Sequence, residues 1–387
     1  MRRICAVTSS RADYGLLYWV LHGLRDARDI ELIVVATGMH LAREHGLTWR
    51  QIEADGFTIA EKIPCLVADD TPAAMAKSVG LAVTGFAEFF ARRRPDVVLL
   101  LGDRFEIFGA AQAAYLASIP IAHIAGGDVT EGSLDDGMRH AITKLATLHF
   151  VTNAEAQRRV RQLGEDPAHI FLTGSPGIDY LRKAKLLSRA EMERELGAKL
   201  LAKNLVVTFH PPTAEPGEAA RQFGEICAAL GELDAQKVGL FLTHANADAG
   251  GAAVNTMIEE FVAKRRNAHA YRALGPLLYL SLVAASDGVV GNSSSGLYEA
   301  PSFAKPTVNI GDRQKGRLRA ASVIDCPPER QAIARAVRRA LDGGYEIGRN
   351  PYGDGESAPR IVRALREFPL GADAARKRFH DLAEVGP

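Results

Sequence analysis

The sequence predicts an α/β fold of two doubly wound domains that face each other across a cleft. Apolar runs of strand length alternate with helical patterns from the first residues onward. The alternation begins again beyond residue 203, which indicates a second sheet. A chain of 387 residues is also longer than one typical hydrophobic core and suits two domains.

The first domain is predicted to comprise residues 1–187. Its strands are short apolar runs bounded by Gly, Pro, Asp or Asn, and they lie at residues 4–8, 31–37, 96–101, 119–124, 149–152 and 170–173. Helical patterns between them include residues 16–27, 71–94 and 107–117. Because the strands are nearly continuous in apolar residues, we expect a parallel sheet with helices on both faces.

The second domain is predicted to comprise residues 188–370, with the junction near residues 188–203. Its strands are expected at residues 205–209, 239–243, 269–274, 288–290 and 307–310. Its helical patterns lie around residues 217–230, 252–266 and 278–285. The same alternation therefore predicts a second sheet of the same type.

Composition narrows the class of protein. The 47 basic and 46 acidic residues leave a net charge of +1, which gives no field for nucleic acid or membrane partners, so any anion must be bound locally. The four cysteines are scattered without a C-x-x-C pair, which argues against a zinc ribbon, a redox motif or a disulfide framework. No apolar run approaches a membrane span of about 18 residues, so a reduced cytoplasm is the expected location.

Polar residues follow nearly every predicted strand. In parallel sheets, ligands bind outside the carboxyl ends of the strands, so these positions are where a site is expected. In the first domain they are residues 8–15, 102–106 and 126–136. In the second domain they are residues 210–212, 244–248, 291–296 and 311–314.

Residues 291–299, GNSSSGLYE, form the most distinctive of these segments. A turn rich in glycine and serine between a strand and a helix offers backbone N–H groups, hydroxyls and the positive end of a helix dipole to a phosphate. Glu299 follows about one turn later, where a carboxylate could accept the two hydroxyls of a ribose. The segment therefore predicts a nucleotide-diphosphate site, and an ordinary serine-capped helix is the alternative.

Several motifs in order resemble the hydrolysing UDP-N-acetylglucosamine 2-epimerases. The motifs are SSRADYG (9–15), GDRFE (102–106), GSLDDGMRHAITK (132–144), GNSSSGLYEAP (291–301), NIGDRQKGR (309–317) and NPYGDG (350–355). The resemblance spans nearly the whole chain. It implies a glycosyltransferase-B-like fold of two Rossmann-like domains with the active site between them. It also implies that a C-terminal segment, residues 371–387, returns to the first domain, with a helix at residues 372–383.

The resemblance implies that UDP is eliminated to leave a 2-acetamidoglucal, and that water then adds with inversion at C2 to release N-acetylmannosamine. The C2 proton is not beside a carbonyl, so the leaving group must depart at least partly before a base removes that proton. Catalysis should therefore concentrate on the diphosphate. The sequence shows no metal-ligand cluster, so protein donors rather than Mg²⁺ are expected to stabilise this charge, and no cofactor is expected.

The residues expected to bind UDP or the substrate match positions of the family's motifs or follow strands in the expected cleft. They are Arg11, Arg104, Asn246, Ser293, Ser294, Gly296, Glu299 and Arg313. His210 is expected to be a donor or a proton shuttle near neutral pH. Arg11 and Arg313 come from opposite domains, so closure of the cleft would bring both onto the phosphates and exclude water. Either arginine could instead form a surface ion pair.

Inversion at C2 requires a base and an acid on opposite faces of the sugar ring, so one carboxylate is not enough. The candidates are Asp103, Asp128 and Asp135, with Asp136 and Glu131 less favoured. Asp103 lies in a GDR turn directly after an apolar strand and is the favoured base. Asp135 matches the first aspartate of the family's DD-x-x-RH pattern. Capping of the following helix is the alternative role for Asp103 and Asp135.

One position departs from many relatives, which have glutamate in an H-x-E pattern after the fourth strand. Here the pattern reads His123-Ile124-Ala125, with alanine in place of the carboxylate. Some hydrolysing relatives have an acid two glycines later, and in this chain that acid is Asp128. Either Asp128 supplies the missing function or the substrate and the proton path differ.

The favoured function is hydrolysis and 2-epimerisation of UDP-N-acetylglucosamine or a close amino-sugar analogue. A UDP-2,4-diacetamido-trideoxyhexose would use the same UDP site and differ only at C4 and C6 of the sugar. A non-hydrolysing epimerase, a glycosyltransferase of the same fold and a silent nucleotide-sugar binder are the remaining alternatives. The resemblance further implies a homodimer or a homotetramer.

Overall fold

The computed structural model describes residues 1–43, 46–67, 71–130, 134–212, 217–245, 250–272, 274–371 and 374–382. The chain forms two compact units. The first contains residues 1–182 and 352–387, and the second contains residues 183–351. The chain therefore returns to the first unit at residue 352, before the predicted boundary at residue 370.

The first unit contains a seven-stranded sheet and the helices that cover it. The strands are β1 (Arg2–Thr8), β2 (Ile30–Thr37), β3 (Ile59–Ile63), β4 (Val97–Leu101), β5 (Ile121–Ile124), β6 (Leu148–Val151) and β7 (Ile170–Leu172). The helices are α1 (Arg11–Asp26), α2 (Trp49–Ala54), α3 (Pro72–Arg93), α4 (Phe105–Leu116), α5 (Leu134–Leu145), α6 (Ala154–Gln162) and α7 (Pro176–Lys183).

All seven strands are parallel, in the order β3-β2-β1-β4-β5-β6-β7. Successive residues of β1 are buried in different clusters, with Ile4 and Ala6 in one and Cys5 and Val7 in the other. Side chains alternate across a strand, so the sheet has a core on each face. The strand order reverses between β1 and β4, and a ligand site is expected where these two strands end.

The second unit repeats this plan with six strands. They are β8 (Lys203–Thr208), β9 (Val238–Thr243), β10 (Ala268–Tyr271), β11 (Gly288–Gly291), β12 (Thr307–Ile310) and β13 (Val323–Cys326). Its helices are α8 (Arg189–Leu196), α9 (Ala219–Gly231), α10 (Gly251–Ala263), α11 (Gly275–Ala285), α12 (Ser295–Tyr298) and α13 (Arg330–Leu341). The parallel order β10-β9-β8-β11-β12-β13 reverses between β8 and β11.

The prediction of two parallel α/β sheets is confirmed, and each predicted strand is present. The sequence prediction missed β3 and β13, which are edge strands of their sheets. Both are only partly buried along their length, and the charged residues Glu61 and Asp325 lie within them. Such strands lack the continuous apolar run by which the central strands were predicted.

A final helix, α14 (Ser357–Glu367), belongs to the first unit. The buried Asp179 carboxylate accepts hydrogen bonds from the backbone N–H groups of Ser357 and Ala358, at 2.9 and 2.6 Å. A carboxylate at this position satisfies N–H groups that have no partner within the helix and interacts favourably with its dipole. A Cβ on Gly23 would lie 2.9 Å from Val362 Cγ2, so glycine allows α1 and α14 to approach closely.

The C-terminal helix was predicted in the wrong place. Residues 374–382 contain a turn and no helix, and α14 lies earlier in the chain. In this segment Lys377 Nζ donates to the carbonyl of Lys144 at 2.6 Å, and His380 N donates to the carbonyl of Gly164 at 2.9 Å. These contacts with residues distant in sequence hold the segment in a non-helical conformation.

One helix of the described chain, α3, is long and apolar enough to cross a membrane by length and composition alone, and a third of its apolar window is buried. Its Phe86, Phe89 and Phe90 lie in the core of the first sheet. A helix that packs in a protein core can have the same length and apolar composition as a membrane span, so these two properties alone do not distinguish the two cases.

Glu165 is the centre of a buried charge cluster in the first unit. Its carboxylate, 2% exposed, accepts hydrogen bonds from His149 Nε2 at 3.0 Å, Lys144 Nζ at 2.9 Å and Lys377 Nζ at 2.6 Å. Burial alone would raise the pKa of Glu165, but these three donors lower it to about 2. The cluster ties α5, β6 and the C-terminal segment to one carboxylate.

Glu165→Gln is expected to lower the free energy of unfolding at pH 7 by about 2 kcal/mol or more, because the charged donors lose their buried partner. The folded-state pKa of Glu165 lies below its ordinary value of 4.5, so its stabilisation is complete above pH 4.5 and is lost as the pH falls toward 2. Urea unfolding at several pH values should show the difference between wild type and variant shrinking over this range. Glu155→Gln, which removes an exposed pair with Arg159, is the control and should change stability by less than about 1 kcal/mol. An equal loss at every pH would contradict the assignment.

Candidate active site

The turn after β1 is organised around the buried carboxylate of Asp13. This carboxylate accepts hydrogen bonds at 2.7–3.2 Å from side chains or backbone N–H groups of Thr8, Ser9, Ser10 and Tyr14. Ser10 is also the N-cap of α1 and forms a capping box with Asp13. Arg11, the first residue of the helix, is exposed. The SSRADYG motif therefore builds a rigid turn from which Arg11 extends into solvent.

The adjacent strand β4 ends in an ion pair between Arg104 and Glu106. Glu106 is fully buried and accepts a hydrogen bond from Arg104 Nε at 2.7 Å. Burial would lower the pKa of Arg104, and the charge of Glu106 raises it above its usual value. A Cβ on Gly38 would lie 2.8 Å from Glu106 Oε1, and this glycine has a φ of +56°. Gly38 thus makes room for the carboxylate that holds Arg104.

Arg139 contacts three of the aspartates that were proposed for proton transfer, Asp103, Asp128 and Asp136. Its guanidinium forms an ion pair with Asp103, bonded through both Nε and Nη2. Its Nη1 donates to Asp136 Oδ1 at 3.0 Å and to the carbonyl of Asp128 at 2.8 Å. The Arg139 side chain is 9% exposed. The aspartates were predicted from the sequence and this arginine was not, although the family's DD-x-x-RH pattern contains it.

Asp103 does not cap the next helix, since Arg104 occupies the N-cap position of α4. The carboxylate is held by Arg139 instead. The backbone at this turn is fixed by His123, whose Nε2 donates to the carbonyl of Gly102 at 2.7 Å and whose Nδ1 lies 3.1 Å from the Thr143 hydroxyl. Burial lowers the pKa of His123 to about 3, so the ring is neutral. His123 thereby connects the Asp103 turn to α5.

Asp135 lies in the first turn of α5. Asp135 is exposed, but partial desolvation by the surrounding protein and the charge of Asp103 raise its pKa, while Arg104 and Arg139 lower it. Asp135 therefore lies within the electrostatic influence of Asp103, Arg104 and Arg139. A carboxylate with a raised pKa beside two arginines can exchange a proton and remain close to an anionic substrate.

Asp128 is held at the start of α6. Its carboxylate accepts hydrogen bonds from Thr152 Oγ1 and Asn153 Nδ2, both at 2.9 Å, and burial raises its pKa. Ala125 has a φ of +66°, in the left-handed region that non-glycine residues rarely adopt. This strained bend lies between β5 and Asp128, at the position where many relatives have glutamate.

In the second unit, Gly291 ends β11 with a φ of +135°. A Cβ there would lie 2.0 Å from the carbonyl oxygen of Thr208, so no other residue fits. Asn292 follows and is almost fully buried. Its side chain accepts from His210 N and donates to the carbonyl of His210, both at 2.8 Å. The backbone of His210 is therefore fixed against the glycine turn, where the strand order reverses.

The same Asn292 also fixes the loop after β12. Its backbone carbonyl oxygen accepts hydrogen bonds from Arg313 Nη1 at 3.2 Å and Gln314 Nε2 at 2.8 Å. One residue thus links His210, Arg313 and the serine turn. Asn292 and Gln314 both lie in segments where the sequence predicted a site, 291–296 and 311–314, but no role was predicted for either because their partners are distant in the chain.

The serine turn differs from the expected start of a long helix. Ser293 and Ser294 precede α12, which is a single turn followed by a 3-10 helix at Ala300–Phe303. The helix dipole is therefore small, and backbone N–H groups, hydroxyls and Arg313 are the main groups available to an anion. A Cβ on Gly296 would lie 2.4 Å from Thr307 Cγ2, so glycine is required here by packing against β12.

Glu299 immediately follows α12, and burial raises the pKa of its carboxylate. Asn246, predicted to line the same site, lies outside the described residues, as does Glu131. Within the described residues, no group of three or more His, Cys, Asp or Glu side chains is arranged to hold a metal ion.

Two parallel α/β sheets, each with polar residues where its strand order reverses, are the architecture of the glycosyltransferase-B-like fold. A sequence model of the UDP-N-acetylglucosamine 2-epimerase family matches residues 22–366. The chain belongs to this family, as the sequence motifs predicted.

Two curated relatives are named as hydrolysing enzymes. The GDP/UDP-N,N′-diacetylbacillosamine 2-epimerase of Campylobacter jejuni is 38% identical over 326 residues, which are 84% of each chain. The UDP-N,N′-diacetylbacillosamine 2-epimerase of Legionella pneumophila is 36% identical over 377 residues, covering 97% of this chain and 99% of the relative.

A solved structure shows the same fold. It is the UDP-GlcNAc 2-epimerase of Neisseria meningitidis bound to UDP-GlcNAc, with a TM-score of 0.75 at 19% identity. The match covers 94% of this chain and all of that one. At this identity the likeness establishes the architecture alone.

Proposed function

We propose that the protein is a hydrolysing 2-epimerase that acts on a UDP-linked 2,4-diacetamido-2,4,6-trideoxyhexose of the N,N′-diacetylbacillosamine type. The observation that carries the substrate is the pair of relatives at 38% and 36% identity, both named for diacetylbacillosamine. UDP-N-acetylglucosamine is the second candidate, because the matching family is named for it. The name of the Campylobacter jejuni relative includes GDP as well as UDP, so the test must also compare substrates that carry the two nucleotide bases.

The proposed reaction has two steps. In the first, the C1–O bond to the diphosphate breaks, UDP leaves with the bonding electron pair, and a base takes the proton from C2 to form the glycal. In the second, water adds its oxygen to C1 and gives one of its protons to a basic carboxylate, while an acid delivers a proton to the opposite face of C2. The products are UDP and a free sugar of inverted configuration at C2.

The residues of the second unit are assigned to the leaving group. Ser293, Ser294 and Arg313 offer hydroxyl, backbone and guanidinium donors to the diphosphate, and His210 is fixed beside them by Asn292. Donors placed before the reaction stabilise the charge that develops as the C1–O bond breaks, with little further reorganisation. Arg11, at the start of α1, is assigned to the same diphosphate charge.

The carboxylates of the first unit are assigned to proton transfer. Asp135 and Asp128 both have pKa values raised by desolvation, which suits groups that exchange a proton. Asp103 is paired with Arg139, so we assign it to holding the arginine and raising the pKa of Asp135 rather than to removing the C2 proton. This revises the sequence hypothesis, in which Asp103 was the favoured base.

The test is incubation of the protein in D₂O with UDP-N,N′-diacetylbacillosamine, its GDP analogue and UDP-N-acetylglucosamine in parallel, followed by proton NMR. We expect UDP and a free 2,4-diacetamido-2,4,6-trideoxymannose that carries deuterium at C2, formed faster than any product of the other two. Faster turnover of UDP-N-acetylglucosamine would select the second candidate. A nucleotide-linked epimer, or hydrogen retained at C2, would contradict the hydrolysing elimination.

A further inference from the structure

The NPYGDG motif, residues 350–355, is one of the segments that resemble the epimerase family, and the proposed reaction gives it no role. The boundary between the two units falls within this motif. Its later residues are bonded within the first unit, where the carbonyl of Tyr352 accepts a hydrogen bond from Ser175 N at 2.7 Å. Its first residue, Asn350, is bonded within the second unit, just beyond the serine turn.

Asn350 donates two hydrogen bonds through its side-chain amide. Nδ2 donates to the backbone carbonyl of Tyr298 at 2.6 Å and to Oγ of Ser302 at 2.7 Å. A carbonyl oxygen can only accept, so the amide nitrogen rather than the amide oxygen must face Tyr298. The nitrogen carries two hydrogens, and these two bonds use both. Asn350 therefore bridges the residue before Glu299 and a residue one turn after it.

The backbone of Glu299 lies at a junction between two short helical segments. Its N–H donates to the carbonyl of Ser295 at 2.9 Å, which closes the single turn of α12, and its carbonyl accepts from Ser302 N at 3.0 Å in the 3-10 helix that follows. A single helical turn is not stable alone, because fixing its residues costs more than one hydrogen bond returns. The junction therefore depends on bonds from outside, and Asn350 supplies two of them.

The start of α12 is held separately from its end. Thr307 of β12 donates through Oγ1 to the carbonyl of Gly296 at 2.7 Å. The strand thus fixes the beginning of the turn, and Asn350 fixes its end. Loss of the Asn350 bonds is therefore expected to release Glu299 while Ser293 and Ser294 keep their positions.

One carboxylate oxygen of Glu299, Oε2, is buried and accepts no hydrogen bond from any described residue. A buried acceptor without a donor costs free energy, so this oxygen indicates a ligand that donates to it. The vicinal hydroxyls of a ribose are such donors, and they are the ligand groups that the sequence predicts for Glu299.

We propose that Asn350 is a positioning residue for nucleotide recognition, which holds the end of α12 so that Glu299 presents its unpaired oxygen to the vicinal diol of a ribose. This inference rests on the proposed function, with Glu299 in the ribose-binding role predicted from the sequence. Asn350 acts through the Tyr298 carbonyl and the Ser302 hydroxyl and needs no contact with the nucleotide.

The test compares the binding of UDP and 2′,3′-dideoxy-UDP by isothermal titration calorimetry. Wild type is expected to bind UDP about tenfold more tightly than the dideoxy ligand, the effect of hydrogen bonds to a charged acceptor. Asn350→Asp keeps the shape of the side chain and removes both donors. It should weaken UDP binding by about fivefold to tenfold and change the affinity for dideoxy-UDP by less than about twofold. Asn350→Ala, which adds no charge, should give the same pattern.

Two further variants test the route and the specificity of the effect. Ser302→Ala removes one of the two acceptors, and the double variant with Asn350→Ala should lose no more UDP affinity than Asn350→Ala alone. Asn204→Ala is the matched control, because Asn204 Nδ2 donates to the carbonyl of Leu201 at 3.1 Å near the start of β8, at the opposite end of the sheet from the site. This control should leave both affinities unchanged.

The remaining outcomes overturn the inference. Equal loss for both ligands in the Asn350 variants would show that the asparagine only maintains the shape of the unit, and unchanged affinities would show that its bonds do not position Glu299. If wild type binds both ligands equally, Glu299 does not accept the diol, and turnover in D₂O still decides the epimerase function. If wild type binds neither UDP nor GDP, the proposed function itself fails.

Discussion

Replacement of Arg139 by methionine is expected to lower kcat by about 10³-fold and the free energy of unfolding by roughly 2 to 4 kcal/mol. The guanidinium holds Asp103, Asp136 and the carbonyl of Asp128, and methionine leaves these acceptors without a cation. Asp103 is 21% exposed, so water screens part of the resulting cost. Steady-state kinetics and urea unfolding measure the two effects.

A pH profile separates the role of Arg139 in the site from its role in folding. Arg139 lowers the pKa of Asp135, so its removal should move the acid limb of kcat/KM to higher pH in whatever activity remains. Arg159→Met is the control for the Asp135 limb. Arg159 donates to the carbonyl of Gly127 at 3.2 Å and pairs with Glu155, and its charge acts on the pKa of Asp128 rather than on that of Asp135. A variant of Arg139 with wild-type kcat would show that the cluster is not the reaction centre.

Replacement of Asp135 by asparagine is expected to reduce kcat by about 10²- to 10⁴-fold, the contribution of a positioned acid or base, with the affinity for UDP unchanged. A base acts when deprotonated, so kcat/KM should rise with pH through the pKa of Asp135, and desolvation places that midpoint above the ordinary value of 3.8. This limb should disappear from the pH profile of the variant.

The neighbouring Asp136 supplies the comparison. Its carboxylate accepts from Thr130 N at 2.7 Å and from Arg139, and an asparagine oxygen can still accept both bonds. Asp136→Asn is therefore expected to change kcat by no more than about tenfold. If Asp136→Asn loses activity and Asp135→Asn keeps it, the proton-transfer role belongs to Asp136.

The sequence predicted those parts of the fold and site that depend on local pattern. Buried central strands are continuous apolar runs, and the polar residues that follow them identify the ends of β1, β4, β8 and β11. Asn292 and Arg139 lie in motifs that the sequence singled out, but their roles were not predicted because each acts through a partner far away in the chain. Asn292 binds the backbone of His210, which is 82 residues earlier, and Arg139 pairs with Asp103, which is 36 residues earlier.

The helix predicted at residues 372–383 shows that tertiary contacts can override the intrinsic helix propensity of a segment. Residues 374–382 contain good helix formers such as Ala374, Ala375 and Lys377. In the structure, Lys377 of this segment forms an ion pair with the buried Glu165. The intrinsic helix propensity of a residue, a few tenths of a kcal/mol, is smaller than the contribution of one charged hydrogen bond.

The division of the first unit between residues 1–182 and 352–387 bears on how the protein is made. During synthesis the last strand of the first sheet, β7, leaves the ribosome long before α14, the helix that completes the cover over α1. Residues 183–351 form an uninterrupted unit and can fold in this interval. The nascent first unit therefore exposes the apolar face of α1 until α14 has been synthesised, and a premature stop after residue 351 removes α14 and leaves that face uncovered.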